Sequence, residues 1–230
     1  MLRINEIHTY YGDSYILQGI SFDVKPKQVV GLLGRNGMGK TTLIRSIVGL
    51  TPPRRGQIIY NDQDITRRRP FEIARLGISL VPQGRLIFPS LNVTENLIVG
   101  SRDEKKGWSL ETVYEFFPPL RQRIDHPGNR LSGGEQQMLA IGRSLMTNPS
   151  LLLMDEPTEG LSPIFVQTVG QVIKKLQESG ISILLVEQNL RFALKYTDHI
   201  HILSRGRIVH SSSPDALDKD TEIRSRFLGV

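Results

Sequence analysis

Eight consecutive residues, Gly34-Arg35-Asn36-Gly37-Met38-Gly39-Lys40-Thr41, fit the pattern G-x-x-x-x-G-K-[ST]. Glycines at those places permit a tight loop whose N–H groups turn inward. A helix starting directly after it adds unpaired donors and a positive dipole end, so a polyphosphate is favoured there. In such a loop Lys40 supplies mobile positive charge to the outer phosphates, and Thr41 offers a hydroxyl to Mg²⁺. With average residue frequencies, a chain of 230 residues matches by accident on the order of 1% of the time. The context agrees: the apolar run Val29 to Leu33 precedes the loop, and a helical pattern, Thr42 to Val48, follows it.

A second group is the apolar run Leu151-Leu152-Leu153-Met154 ending in Asp155-Glu156. Asp155 at a strand tip can hold the water shell of a metal, and Glu156 is placed to orient or deprotonate an attacking water. Two acids after a strand are common by themselves and read equally as a solvated strand end; the phosphate loop is what favours chemistry. A third group is Leu131-Ser132-Gly133-Gly134-Glu135-Gln136, ahead of Met138, Ile141 and Leu145 at helical spacing. Ser132 and Glu135 fit the S-x-x-E capping box of an amphipathic helix. Two consecutive glycines at a helix start cost backbone entropy unless something must approach closely, and phosphate is such a ligand.

These residues must be held by an α/β frame. Apolar runs ending in Gly or Asp alternate with helical patterns, as in a parallel sheet with crossover helices. The expected buried strands are Val29 to Leu33, Ile78 to Val81, Leu151 to Met154 and Ile181 to Val186. Ligands of such sheets collect at the carboxyl ends of the strands, where the chemical groups above stand. Arg3 to Val24 reads as an antiparallel pair around Tyr11-Gly12-Asp13, and Arg207 to His210 as a closing edge hairpin. Residues 84 to 130 are rich in helix formers and broken by Pro89, Pro118, Pro119 and Pro127, which predicts an inserted helical lobe.

Composition narrows the class. A length of 230 suits one domain with an embedded lobe, and 39% apolar and 23% charged residues suit a packed globule rather than a disordered chain. The longest uncharged run, Gly160 to Ile173, has 14 residues, short of the roughly 20 that span a bilayer. The N-terminal segment lacks the basic-then-apolar order of a signal peptide, so the expected place is the cytosol. Zero cysteines exclude disulfides, thiolate metal sites and cysteine nucleophiles. The net charge of +6 suits phosphate ligands, anionic lipid or nucleic acid, and equally a merely soluble basic surface.

Taken together, the phosphate loop, Gln83 after a strand, LSGGEQQ, LLLMDEPT and the following EGLSP resemble the ATP-binding subunits of ABC transporters over essentially the whole chain. A finer resemblance, to the compact ATP-binding subunits of branched-chain amino acid importers and the related urea and amide importers, rests on four segments. They are VPQGRLIFPSLNVTENL (Val81 to Leu97), MLAIGRSLM (Met138 to Met146), DEPTEGLSP (Asp155 to Pro163) and LLVEQN (Leu184 to Asn189). Like those subunits, the chain is expected to carry no regulatory domain after Val230.

The resemblance implies a P-loop NTPase core with a mostly parallel sheet, an antiparallel N-terminal part and a helical lobe: residues 1–83 and 146–230 as core, 84–145 as lobe. It implies ATP as substrate with Mg²⁺ held by Thr41, Gln83 and Asp155. The nucleotide would be bound by Gly34, Arg35, Asn36, Gly37, Gly39, Lys40, Thr41 and Thr42, with Tyr11 stacked on adenine. Ser132, Gly133 and Gly134 would act in trans on ATP held by a second ATP-binding subunit, a different paralogue or a second copy. Such donors attract the partner only while the γ-phosphate is present, so ATP binds the pair together and hydrolysis releases it. Membrane permease subunits, an external solute-binding protein and a place on the inner face of the cell membrane are implied, and nucleic acid is not. Glu156, Gln83 and Gln188 are the implied catalytic residues.

The chain departs from its relatives at two places. Where many carry a histidine near the γ-phosphate, this chain has Gln188, which hydrogen-bonds but cannot titrate. Where an aspartate is usual after the acid pair, it has Ser162. None of His8, His126, His199, His201 or His210 follows a strand in the way the lost role requires; surface or hairpin packing is expected of them. Arg67-Arg68-Arg69 reads as a solvated face or a contact for lipid headgroups or membrane subunits. Phe88 and Leu91 read as core or as a groove for a permease helix. A soluble relative acting on DNA or ribosomes is the competing class. Such proteins need a long coiled-coil insertion or a second cassette, and the 48 residues between Gln83 and Ser132 leave room for neither.

Overall fold

The computed structural model describes residues 1–101 and 107–229, so residues 102–106 of the expected helical lobe lie outside the described residues. Two sheets organise the rest. The antiparallel one joins β1 (Leu2–Tyr11), β2 (Ser14–Val24), β4 (Arg55–Tyr60) and β5 (Gln63–Asp64) in the order β2-β1-β4-β5. The larger one contains β3 (Val29–Leu33), β6 (Ile78–Val81), β7 (Leu151–Asp155), β8 (Ser182–Glu187), β9 (His199–Ser204) and β10 (Arg207–Ser212). Its order is β10-β9-β3-β8-β7-β6. All its neighbours pair in parallel except the β9–β10 hairpin at one edge.

Every residue of β3, β7 and β8 is buried. Strands covered on both faces lose the polar alternation of a half-exposed sheet, which is why these segments read as unbroken apolar runs. Alternate side chains serve two different cores. Val30, Leu32, Leu151, Leu153, Leu184 and Val186 pack with the antiparallel sheet and with α1 (Lys40–Ile47). Leu152, Met154, Ile183 and Leu185 point the other way. They meet Met138, Ile141 and Leu145 of α6 (Gly133–Leu145) and Val169, Ile173 and Leu176 of α7 (Pro163–Glu178).

The helices between β6 and α6 are α3 (Val93–Val99), α4 (Leu110–Phe116) and α5 (Pro118–Arg121); α2 (Pro70–Arg75) precedes β6. Val93, Leu97, Val113, Phe117 and Leu120 belong to the same apolar cluster as the sheet residues Leu152 and Leu185. One continuous core therefore runs from the central sheet into the helical segment. Asn92 and Ser109 start α3 and α4 with reciprocal capping boxes, so the N–H groups orphaned at these helix starts are satisfied locally. Helix α8 (Leu190–Tyr196) and α9 (Pro214–Lys219) cover Leu33, Ile200 and Ile202, with Phe227 and Leu228 packed on the same cluster.

The structure refines the sequence reading at several places. Strand β7 extends one residue further, to Asp155, and β8 runs from Ser182 to Glu187, because the ladder continues through Asp155↔Val186 and Leu33↔Glu187. Phe88 is 43% exposed beneath the Arg143 guanidinium rather than in the core. Arg67 and Arg68 hydrogen-bond the carbonyls of Arg54 and Asp64, and Arg69 precedes α2. Among the described residues no helix is long and apolar enough to cross a membrane.

Candidate active site

Because β3, β8 and β7 are neighbours, the segments leaving their carboxyl ends stand side by side. The loop after β3 is shaped by close approach and by backbone sign. A Cβ on Gly34 would come within 2.5 Å of the Leu203 carbonyl oxygen, and Gly39 adopts φ 108°, where L side chains are strained. Helix α1 starts at Lys40 with no side-chain cap on its first turn. The loop N–H groups are thus left for an anion.

Lys40 is buried, and its Nζ donates to the carbonyls of Gly34 at 2.7 Å and Arg35 at 3.1 Å. It also pairs with Glu156 Oε1 at 3.1 Å, with both side chains at or below 6% exposure. Glu156 sits at φ 50° just past β7, with its N–H bound to the Val186 carbonyl at 2.9 Å. Its other oxygen, Oε2, accepts Gln188 Nε2 at 2.7 Å and Gln83 Nε2 at 3.4 Å. The same Gln188 nitrogen reaches Asn36 Oδ1 at 2.6 Å, joining the phosphate loop to the acid. Gln83 Nε2 also donates to Glu159 Oε2 at 3.0 Å.

Asp155 is buried, and its Oδ1 has no hydrogen-bond partner. Burial pushes its carboxyl above the ordinary carboxylate range; a hydrogen bond from Thr41 opposes the shift and the charge of Glu156 reinforces it. A buried carboxylate oxygen without a partner beside a threonine hydroxyl fits a divalent cation. No group of three His, Cys, Asp or Glu side chains among the described residues could hold one unaided, which suits Mg²⁺, an ion held by one or two carboxylates plus substrate phosphates. Asn36, Gly37, Gly39, Lys40, Thr41, Thr42, Gln83 and Glu156, with Ile16, line one cavity of about 400 Å³. Gly34, Arg35, Asn36 and Gln188 line an adjoining one with Leu228.

The remaining expected residues stand elsewhere. Ser132 caps α6, and the Glu135 side chain accepts its N–H at 2.8 Å, so the capping box forms. A Cβ on Gly134 would overlap the Phe165 ring, and one on Gly133 would lie 3.1 Å from the Arg85 guanidinium. None of these three lines the cavity at Lys40. Tyr11 ends β1 and is 42% exposed, also outside that lining. Ser162 is exposed at the start of α7 and makes no side-chain cap.

Sequence reasoning missed the support for the site. Glu187 is buried at the end of β8 and accepts hydrogen bonds from Thr158, Gln188 and Asn189. Its only sequence signal is an acid closing an apolar strand, as Asp155 does. The Asn36–Gln188 contact joins residues 152 positions apart and leaves no local signal.

The comparisons agree with this geometry. The family profile described as ABC transporter matches residues 17–159. The chain is 40% identical to the high-affinity branched-chain amino acid transport ATP-binding protein BraG of Pseudomonas aeruginosa, over the full length of both. It is 33% identical to the lipopolysaccharide export system ATP-binding protein LptB of Escherichia coli K12, over 95% of this chain and 93% of that one. A nucleotide-free ATP-binding cassette from an ABC transporter superposes with a TM-score of 0.86 at 28% identity, covering 97% of each chain. With a phosphate loop, a strand-end acid pair and a capped glycine-pair helix on this fold, the chain belongs to the ABC transporter family, as one of its ATP-binding, ATP-hydrolysing subunits.

Proposed function

We propose that this subunit drives uptake of a small solute, branched-chain amino acids first among them, by ATP-dependent closure of a pair of such subunits against membrane permeases. The chemical half of the reading rests on the convergence of Lys40, Glu156, Gln188 and Asp155 at three adjacent strand ends. The choice of solute is supported by the 40% identity to BraG along the whole chain.

The loop N–H groups, Lys40 and Thr42 bind the phosphates of ATP, with Tyr11 against the adenine. Lys40 is paired with Glu156 at 3.1 Å, and incoming phosphate competes for it. Drawing Lys40 away frees the carboxylate, which then accepts a proton from the attacking water, a role worth about 10²–10⁴ in rate. Gln188 holds Glu156 Oε2 and Asn36 together during that exchange. Mg²⁺, when bound by Asp155, Thr41 and Gln83, supplies charge neutralisation at the phosphates.

Residues 1–83 and 146–230 form the nucleotide-binding core and 84–145 the lobe that meets the permeases at the inner face of the membrane. Ser132, Gly133 and Gly134, which lie outside the cavity of their own chain, complete the site of the opposite subunit, a paralogue or a second copy. Purifying the subunit with its permeases in vesicles and measuring solute-stimulated ATP hydrolysis tests the reading. Stimulation by leucine, isoleucine or valine with their external binding protein is expected. Stimulation by urea or short amides alone would move it to those importers. The similarity to LptB carries a second reading, lipopolysaccharide export; stimulation by lipopolysaccharide and by no amino acid would establish that one instead.

A further inference from the structure

The ladder between β7 and β8 ends at Asp155↔Val186, with one further backbone bond from the Glu156 N–H to the Val186 carbonyl. Beyond it the two chains leave the sheet as separate loops. Their functional side chains nevertheless meet, Gln188 Nε2 standing 2.7 Å from Glu156 Oε2. Backbone pairing alone does not hold that contact, because both residues lie past the last rung.

Glu187 takes over where the ladder stops. The residue is 2% exposed. Oε1 accepts the Thr158 hydroxyl at 2.7 Å and the Thr158 N–H at 3.1 Å, so one edge of the carboxylate grips the loop that carries Glu156. Oε2 accepts the N–H of Gln188 at 3.1 Å and of Asn189 at 3.3 Å, so the other edge grips the loop that carries Gln188. These donors are all neutral, and no ion pair to Glu187 stands among the described residues. A buried carboxylate without a counter-cation is costly unless its lone pairs are filled. Filling both edges needs a group that accepts on each, which an ionised carboxylate does and a carboxamide does not.

We propose that Glu187 is a positioning residue of the ATPase, fixing the loop of Glu156 against the loop of Gln188 so that the water-activating carboxylate is held in register with the phosphate loop. The claim rests on the reading of Glu156 above and adds to it a residue outside the lining of both cavities at the phosphate loop.

The test uses the full chain and reads turnover separately from binding. Glu187→Gln keeps the shape but turns an NH₂ toward one of the two loops. It is expected to lower kcat at least tenfold while the Kd for a nonhydrolysable ATP analogue with Mg²⁺ changes less than threefold. Thr158→Val, which deletes one donor, is expected to lower kcat in the same direction, and Thr158→Ser, which restores the hydroxyl, to recover most of that loss. The double variant Glu187→Gln/Thr158→Val should be little worse than Glu187→Gln, since both break one link. A kcat within twofold of the parent in Glu187→Gln overturns the proposal, as does a loss of analogue binding parallel to the loss of kcat. Should Glu187→Gln fail to fold, the Thr158 pair decides: equal turnover in Thr158→Val and Thr158→Ser overturns it. Undiminished hydrolysis in Glu156→Gln would refute the base assignment, a result distinguishable from failure of the Glu187 test.

Discussion

Replacing Glu156 by glutamine changes more than a proton acceptor. In the parent the carboxylate takes three converging donors, Lys40 Nζ at 3.1 Å, Gln188 Nε2 at 2.7 Å and Gln83 Nε2 at 3.4 Å. A carboxamide offers one acceptor oxygen, so its NH₂ must face either the buried Lys40 or the exposed Gln188, and one of these two donors loses this partner. Lys40 keeps the Gly34 and Arg35 carbonyls, which softens the loss below the full cost of a broken buried pair. Losing the charged acceptor beside the buried Lys40 is expected to cost about 1–3 kcal/mol. With about 2–4 °C per kcal/mol for a chain of this size, the nucleotide-free variant should melt roughly 2–12 °C below the parent. Nucleotide should then stabilise the variant more than the parent, because in the parent the phosphates must first displace Glu156 from Lys40. Turnover should fall about 10²–10⁴-fold. Thermal unfolding of both proteins, without nucleotide and with saturating analogue, measures both shifts. Equal melting within about 1 °C without nucleotide, or a smaller nucleotide shift in the variant, would refute the competition between Glu156 and phosphate for Lys40.

Asp155→Asn removes a buried charge whose Oδ1 lacks a partner, so the nucleotide-free protein should gain about 1 kcal/mol in denaturant unfolding while Mg²⁺-dependent hydrolysis is lost. Gln188→Ala should lower turnover by cutting Glu156 from Asn36; because Gln188 does not titrate, kcat of the parent should show no limb near pH 6.5 from this position, and Gln188→His should introduce one. His201, its ring tilted against that of Phe22, is held by burial, with a smaller push from His199, at a pKa of about 4. Unfolded, it returns to the ordinary value of about 6.5 and binds protons that the folded state refuses. Its share of stability is therefore present above about pH 6.5 and lost as pH falls toward 4, about 2 kcal/mol by pH 4.5. His201→Phe should flatten that slope in denaturant titrations at pH 7 and 4.5, and an unchanged slope would exclude His201 as its source.

What could be read from the sequence and what could not divide along physical lines. The phosphate loop is local: its glycine spacing, preceding apolar strand and following helix all lie within Val29–Val48. Strands β3, β7 and β8 were legible because burial on both faces removes polar alternation. Their adjacency follows from no local pattern, yet strand-end chemistry in parallel sheets converges, which made Asp155 and Glu156 legible beside the phosphate loop; Gln188 was legible only through the resemblance to the family, as the place where many of its members carry a histidine. The pairing of Lys40 with Glu156, by contrast, depends on two loops 116 positions apart. Glu187 was overlooked because its partners are mostly backbone N–H groups, which every residue has. The ring seated on Gly134 belongs to Phe165, beyond the acid pair in the chain, so the glycine pair carried a structural demand that the nearby residues did not reveal. At Ser132 the capping box was legible, since its two members are three residues apart.

The apolar cluster that crosses from the central strands into the helical segment has a mechanical corollary. Leu97 and Val113 share it with Leu152 and Leu185, so a rotation of the segment that parted these side chains would expose hydrocarbon. A displacement that keeps them packed is a slide of side chains past one another, the shear class of motion. Such a slide would leave the strand ends and the far side of the helical segment mechanically joined, because one packed core lies under both.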